Sequence, residues 1–177
     1  MVFQGADARG ERTLKIRPAT PDDLEPIRGI YNDAVLNTVA TFDTVPKSPG
    51  EQGRWFCEHV PRYPVIVAEL DGIVVGWASL SRWSDRPAYD GTAEVSVYVD
   101  AAHRGKRIGS ALLEALVEAG QKKGFHNLVS RIVEGSDASI HLHERLGFGH
   151  VGVLREAGRK FGRLLDVTIM QIVFEDR

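Results

Sequence analysis

The chain has 177 residues, of which 43% are hydrophobic and 26% are charged; these proportions fit one globular domain and exclude wholesale disorder and fibrous structure. Its 22 lysines and arginines against 24 aspartates and glutamates give a formal charge of -2, which argues against a nucleic-acid-binding or membrane-surface protein. No apolar run approaches the roughly 20 residues of a membrane span, and a single cysteine, Cys57, cannot form an internal disulfide and fits a cytoplasmic protein.

The hydrophobic pattern predicts a flexible tail over residues 1–13 and one domain over residues 14–177. Eleven elements are predicted in chain order: a strand at 14–17, helices at about 24–34 and 49–59, strands at 64–70, 73–80 and 92–99, a helix at about 106–122, a strand at 127–133, a helix at 138–146, and strands at 150–155 and 166–174. This order predicts an α/β fold, in which a mixed sheet carries helices on both faces.

Local signals support individual elements. Ser48 and Glu51 have the spacing of a capping box at the start of the second helix, and Cys57 within that helix is expected to pack inward. Asp71-Gly72 between two apolar runs predicts a tight hairpin. Residues 92–99 alternate strictly, so Glu94, Ser96 and Tyr98 are expected on one face and the intervening valines on the other.

The segment at residues 97–110 carries the clearest chemical signal. A buried strand ends, a turn brings three basic residues, and Gly109 follows in the first turn of a helix with an apolar stripe. Helix N-termini offer free N–H groups and a partial positive charge, so the segment is suited to an anion such as a pyrophosphate. A solvated basic loop fits the same spacing.

At these residues the chain resembles the GNAT N-acetyltransferases, which bind acetyl-CoA. Their signature, Q/R-x-x-G-x-G/A, is matched by residues 104–109, and the resemblance runs from Ile16 to Gln171. It is strongest to the phosphinothricin and methionine sulfoximine acetyltransferases, through the stretches IYNDAV, TFDT, GWASLSRW, AYDGTAEVSVYVD, ASIHLHERLGF and KFGRLLDV.

The resemblance implies a central, mostly antiparallel sheet that splays between residues 92–99 and 127–133 to admit acetyl-CoA. It also implies the donor-binding residues: Val97, Tyr98, Val99, Arg104, Gly105, Lys106, Arg107, Ile108, Gly109, Ser110 and Ser136. Two of these depart from the family pattern. Arg107 replaces the usual middle glycine and is expected to serve through its backbone N–H if its φ is negative, and Ser136 replaces an asparagine, which shortens a polar side chain.

Two residues are implied to act in catalysis. Glu94 is expected to be the general base, directly or through water; without the family, such a residue is more often an exposed strand carboxylate. His143 lies where many members have a tyrosine near the thioester sulfur, and it could protonate the departing thiolate or position the amine. Taken alone, a histidine on a short helix is more often structural. The spacing of His141 and His143 gives no metal pair, and no metal is expected.

The acceptor side is less defined. The resemblance implies contacts with an amino-acid substrate from a loop and from the strand that carries Glu94, and a guanidinium or ammonium suits the substrate's anionic groups. The candidate residues are Arg82, Ser84, Asp85, Arg86, Val95, Ser96 and Lys160. The aromatic residues Phe42, Trp77, Trp83 and Tyr89 either wall this pocket or pack in the core.

These expectations add up to acetyl transfer from acetyl-CoA to the α-amine of a small amino-acid-like acceptor, by a homodimer according to the resemblance. Two alternatives stay open: an acetyltransferase for protein N-termini or another small amine, and a non-catalytic acyl-CoA-binding sensor. A substrate screen distinguishes an acetyltransferase for another amine from one for amino acids. The absence of turnover with any acceptor identifies a sensor.

Overall fold

The computed structural model describes residues 13–175, so the predicted tail lies outside the described residues except for residue 13. The predicted elements occur in the predicted order. The strands are β1 (Leu14–Pro18), β2 (Val65–Leu70), β3 (Ile73–Arg82), β4 (Thr92–Val99), β5 (Asn127–Val133), β6 (Gly149–Lys160) and β7 (Arg163–Val173). The helices are α1 (Leu24–Asn37), α2 (Pro49–His59), α3 (Ile108–Lys122) and α4 (Asp137–Arg145).

The sheet has the order β1-β2-β3-β4-β5-β7-β6. Every neighbouring pair is antiparallel except β4 and β5, which run parallel. These two strands pair only through Thr92–Asn127, Ala93–Leu128 and Glu94–Val129 and then diverge. The mixed α/β fold and the splay between these strands are therefore confirmed.

Helices cover both faces of the sheet. On one face, α3 buries Ile108, Leu112, Leu113 and Leu116 against the strands, and Gly76 lets this helix approach β3, since a Cβ there would lie 3.1 Å from a methyl group of Leu112. On the other face, α1 and α2 pack over β2 and β3 through a smaller apolar cluster. Burial of these apolar faces supplies the main stabilisation of both layers.

The alternation predicted along β4 is present. Val95, Val97 and Val99 belong to the core under α3, whereas Tyr98 packs with the cluster under α1 and α2. Glu94 has the same parity as Tyr98 and therefore shares its face. The pleat of one strand thus directs the valines to the core and the polar side chains to the opposite face.

The last two strands extend beyond the predicted bounds, because β6 continues to Lys160 and β7 begins at Arg163. Phe161 and Gly162 join them in a tight turn, both with positive φ. The register shifts between Leu154 and Gly158, around Glu156 at a φ of 50°. This bulged, polar stretch has no alternating pattern, so the sequence did not predict it as a strand.

Two observations complete the fold. The capping box at Ser48 and Glu51 is confirmed, but the expectation for Cys57 was wrong, because its side chain is exposed while Gln52 and Phe56 form the inner face of α2. No helix within residues 13–175 is long and apolar enough to cross a membrane.

Candidate active site

A cavity of about 580 Å³ opens where β4 and β5 diverge. Its lining comes from β3, from residues 94–98 of β4 and residues 130–133 of β5, and from residues 40–43 in the loop between α1 and α2. Further lining residues come from the start and the inner side of α4, from α1 and α2, from Lys47, and from β6 and β7. The volume lies within the range of about 300–1,000 Å³ that small-molecule sites occupy.

Four buried polar atoms on this lining have no hydrogen-bond partner among the described residues. They are Nε1 of Trp77, the hydroxyl oxygens of Ser79 and Ser130, and Nε2 of His143. An unpaired buried polar group costs about 1–3 kcal/mol, so such groups are rare in protein interiors. Their concentration around one cavity indicates a site that hydrogen-bonds a ligand.

Glu94 lies in the lining, held in an ion pair with Arg131. Nε and one terminal nitrogen of Arg131 each lie 2.6 Å from a different carboxylate oxygen of Glu94. The Glu94 side chain is 18% exposed and that of Arg131 is 55% exposed. The pair is therefore bidentate and bordered by solvent on the arginine side, and its two hydrogen bonds orient the carboxylate.

His143 is 4% exposed and also lies in the lining. Its Nδ1 lies 2.8 Å from the Ser139 carbonyl oxygen. Because a carbonyl only accepts hydrogen bonds, Nδ1 carries the hydrogen and Nε2 presents a lone pair. Burial lowers the pKa of this imidazole, against a smaller opposing effect of the Ser139 bond, so the ring is neutral at pH 7 and can accept a hydrogen bond from a ligand.

The wall formed by α1 and the following loop carries a second polar network. The Tyr31 hydroxyl donates to a carboxylate oxygen of Asp43 at 2.5 Å and lies 3.1 Å from the Thr41 hydroxyl. Nearby, Nζ of Lys47 lies 4.5 Å from the centre of the Tyr31 ring, and burial lowers the pKa of this lysine. Burial raises the pKa of Tyr31, and it raises the pKa of Tyr98 to about 12. The phenols of Tyr31 and Tyr98 therefore remain protonated at neutral pH.

A hydroxyl–imidazole pair lies at the end of β3. Nδ1 of His59 bonds the Trp55 carbonyl at 2.7 Å, so Nε2 accepts the Ser81 hydroxyl at 2.9 Å. This pair fixes the Ser81 oxygen in the cavity lining, opposite Glu94 across the ladder. Sequence analysis missed Ser81, Lys47 and Arg131, because no motif or spacing marks them.

The basic segment begins one short turn after β4. The first turn of α3 leaves N–H groups without intrahelical partners, and no side chain caps it. Nε of Arg104 donates to the Val99 carbonyl at 3.2 Å, and Nζ of Lys106 donates to the Ala102 carbonyl at 3.1 Å. These exposed cations and free N–H groups could hold an anionic group such as a pyrophosphate.

The condition stated for Arg107, a negative φ, is not met. Its φ is 61°, in the left-handed region, so the position has the conformation that favours glycine rather than an ordinary negative φ. Arg107 is nevertheless the residue before α3, and its carbonyl accepts the first helical bond, from Ala111 at 3.1 Å. The substitution of the usual glycine thus introduces backbone strain next to the predicted anion site.

The other predicted donor residues fall at the same edge. Val97 and Tyr98 line the cavity, and so does Ser136, which precedes α4 without capping it through its side chain. Beyond Glu94, β4 has no ladder partner in β5. Backbone groups of residues 97–99 on that side are therefore available to an extended amide-containing ligand.

The predicted acceptor residues are only partly brought together. Val95 and Ser96 line the cavity, whereas Arg82, Ser84, Asp85, Arg86 and Lys160 do not. Arg82 pairs with Asp85 at 3.4 Å and with Asp90 at 3.6 Å, and the backbone N–H of Arg86 bonds the Ser84 hydroxyl at 3.3 Å. Their contact with an acceptor stays a prediction.

Lys160 has a structural partner instead. It is 3% exposed, and its Nζ donates to the Thr41 carbonyl at 2.7 Å. Beside it, the ring of Phe42 covers Gly158 so closely that a Cβ there would lie 2.4 Å from a ring atom. Lys160 and Gly158 therefore fix the loop that forms one wall of the cavity.

Of the four aromatic residues considered, Phe42 and Trp77 line the cavity, and Trp83 lies against Arg131, with 5.8 Å between the ring centre and Cζ. Tyr89 is exposed. Within residues 13–175 no group of three or more histidine, cysteine, aspartate or glutamate side chains could hold a metal ion.

Comparison with known proteins gives consistent matches. A model described as the acetyltransferase (GNAT) family matches residues 29–148. The L-methionine sulfoximine/L-methionine sulfone acetyltransferase of Pseudomonas paraeruginosa is 43% identical over 162 residues, which are 90% of this chain and 94% of that protein.

Two solved structures cover almost the whole domain. The GNAT superfamily phosphinothricin acetyltransferase of Sinorhizobium meliloti, in complex with acetyl-CoA, has a TM-score of 0.88 at 38% identity, over 90% of this chain and 88% of that chain. The ribosomal-protein-alanine N-acetyltransferase of Brucella melitensis has a TM-score of 0.88 at 38% identity, over 90% of this chain and 99% of that chain.

Proposed function

The chain belongs to the acetyltransferase (GNAT) family, and from this premise we propose that it transfers an acetyl group from acetyl-CoA directly to the α-amine of a small amino-acid-like acceptor. The acceptor class is that of phosphinothricin, methionine sulfoximine and methionine sulfone, on which the similar proteins act by name. One observation carries the proposal: the cavity between β4 and β5 has Glu94 and an unpaired His143 nitrogen in its lining.

The residues present fit the donor. Acetyl-CoA supplies the acetyl group as a thioester, an activated acyl form. The free N–H groups at the start of α3, with Arg104 and Lys106, would hold its pyrophosphate. Backbone groups of residues 97–99 would hydrogen-bond its amide-containing arm, and Ser136 would add one further polar contact. With the donor held in this way, its acyl end would reach the cavity beside Glu94 and His143.

Glu94 would accept the proton that an α-ammonium must lose before its nitrogen can attack. The N–C bond then forms while the C–S bond breaks, and a proton passes from the nitrogen to the sulfur. Because Nε2 of His143 is unprotonated, its first role is to accept a hydrogen bond from the amine, and it can donate toward sulfur only after taking up that proton. The tautomer therefore favours positioning of the amine over the role of a resting acid.

A second function, acetylation of a protein N-terminus, is represented by the similar ribosomal-protein-alanine N-acetyltransferase. The cavity favours the smaller acceptor, because its volume is about 580 Å³ and the loop at residues 40–43 is fixed across one wall by Lys160. A bound peptide would need an open channel past this loop.

The decisive experiment incubates the purified protein with acetyl-CoA and separate acceptors, and follows release of the free thiol. The panel contains phosphinothricin, methionine sulfoximine, methionine sulfone, dipeptides and an alanine-starting peptide. Turnover with the amino acids and little with the peptides supports the proposal. Preference for the peptide supports the second function, and acetyl-CoA binding without turnover on any acceptor identifies a sensor.

We also place this enzyme in the cytoplasm and propose that it acts as a homodimer. The feature that supports a dimer is the edge strand β6, on which Val151 and Val153 are 57% and 48% exposed. Exposed apolar edge strands tend to be covered by a partner. Sedimentation analysis should give a dimer, and Val153→Glu should shift it toward monomer. A monomeric parent protein would contradict the proposal.

A further inference from the structure

The cavity has few cations that could meet an acceptor's negative groups. Of the lysines and arginines at residues 13–175, only Lys47 and Arg131 line it. Lys47 lies on the α1–α2 wall, with Nζ over the rings of Tyr31 and Trp55. Arg131 is the cation that touches Glu94, the carboxylate next to which the reacting amine must lie.

The Arg131 guanidinium has hydrogen-bond donors that could bind a second carboxylate. Glu94 occupies its Nε and one terminal nitrogen, and among residues 13–175 no acceptor takes the other terminal nitrogen. Cζ of Arg131 lies 5.8 Å from the centre of the Trp83 ring, and the side chain is 55% exposed. One edge of the fork is thus open to a second carboxylate, because a guanidinium has five donors.

We propose that Arg131 binds the α-carboxylate of the acceptor, and that the acceptor's zwitterion inserts into the Glu94–Arg131 ion pair. This inference rests on the proposed function and adds the residue that selects α-amino acids. The acceptor carboxylate binds the Arg131 guanidinium, and the acceptor ammonium binds the Glu94 carboxylate. Each charge of the pair keeps an opposite charge, so the exchange leaves none of the four charges unpaired.

The exchange also prepares the reaction. Once the ammonium lies on Glu94, one N–H proton can move to a carboxylate oxygen, which leaves the nitrogen neutral with its lone pair free. An amine without a carboxylate cannot form an ion pair with Arg131, so its ammonium must compete with Arg131 for the Glu94 carboxylate. The structure therefore predicts selection by charge before any contact with the rest of the side chain.

The test compares two acceptors that differ only at the α-carboxyl group: methionine sulfone and its carboxamide. The parent enzyme should prefer the acid by about tenfold or more in kcat/KM, because a charge-assisted hydrogen bond is worth roughly 1.5–3 kcal/mol. Arg131→Gln should raise the acid's KM by about 10–100-fold, abolish most of this preference and leave the KM for acetyl-CoA unchanged. For Arg131→Lys, the KM for the acid and the preference for the acid should lie between those of the parent and of Arg131→Gln.

Calorimetry provides a readout without turnover. Methionine sulfone alone should bind the parent protein and should bind Arg131→Gln about tenfold more weakly or worse. Arg163→Gln is the matched control, because Arg163 pairs with Glu134 on the surface at 3.4 Å. This control should leave both the binding and the acid preference unchanged.

Each outcome decides the question. Equal loss on the acid and the amide in Arg131→Gln would show that Arg131 acts only by orienting Glu94, and would overturn the proposal. A parent enzyme that acetylates the amide as well as the acid would overturn it too, even if the variants failed to fold. If the parent acetylates no acceptor, the proposed function fails, and unchanged binding by calorimetry in Arg131→Gln would then separately overturn the carboxylate site.

Discussion

Replacing Arg107 by glycine should stabilise the protein. Its φ of 61° lies in the left-handed region, which costs a residue with a Cβ roughly 1–2 kcal/mol. Glycine avoids this strain but loses more conformational freedom on folding, roughly 0.5–1 kcal/mol. The difference gives a gain of about 0.5–1 kcal/mol in the free energy of unfolding, or about 1–4 °C in Tm for a chain of this size.

Arg107→Ala is the matched control, because it removes the same charge and keeps a Cβ at the same φ. Its free energy of unfolding should differ from that of the parent by no more than an ordinary surface substitution causes, about ±0.5 kcal/mol. Gly105→Ala tests the converse: Gly105 has a φ of 74° and no atom within 4 Å of an added Cβ, so its loss of stability would come from the backbone alone.

Thermal unfolding by circular dichroism, with all variants in one buffer, measures these differences. A Tm for Arg107→Gly equal to or below that of Arg107→Ala would refute the strain argument. The acetyl-CoA kinetics add a second result: because the free N–H groups at the start of α3, and not the Arg107 side chain, are the proposed ligands, both variants should keep activity within about tenfold. A collapse in both would show that the Arg107 side chain itself contacts a phosphate.

Three further predictions concern the site. Arg104→Ala or Lys106→Ala should raise the KM for acetyl-CoA more than that for the acceptor, and unchanged donor affinity in both would remove the anion site from that loop. Glu94→Gln should lower kcat by about 10²–10⁴-fold at saturation while acetyl-CoA still binds; parental turnover with an unchanged pH profile would make Glu94 structural. Burial lowers the pKa of His143, so below about pH 6.5 the unfolded chain binds its proton more readily and stability falls. Between about pH 7 and pH 5, the Tm of His143→Gln should therefore fall by less than the Tm of the parent. An equal fall would refute the interpretation that His143 is buried in its neutral form.

The sequence predicted what depends on local pattern. The alternation along residues 92–99 fixed the faces of β4, and the apolar stripe fixed the packing of α3. The family resemblance supplied Glu94 and His143 as candidates, and both lie in the cavity lining. The faces of β4 and α3 were predictable because spacing determines which side chains share a face, whereas the catalytic roles of Glu94 and His143 stay predictions.

The ion pair of Arg131 with Glu94 was not predictable in this way. It joins residues 37 positions apart through long side chains on two strands, and neither position differs by type from an ordinary surface residue. The positive φ of Arg107 was not predictable either, because an arginine gives no sign of a left-handed backbone. Lys160 was expected to reach the acceptor because it is cationic, but a carbonyl of the opposing loop already binds its ammonium.

The contact between Lys160 and Thr41 spans 119 positions, which has a consequence for the order of assembly. During synthesis the loop at residues 40–43 leaves the ribosome long before its anchor on the final hairpin exists. The donor segment up to α3 can fold earlier, because most contacts of α3 are with the preceding strands β1 to β4. In a nascent chain lacking β6 and β7 this loop can keep its bonds to Tyr31 of α1 but lacks the anchor on Lys160, so the acceptor wall is fully secured when the final hairpin has formed.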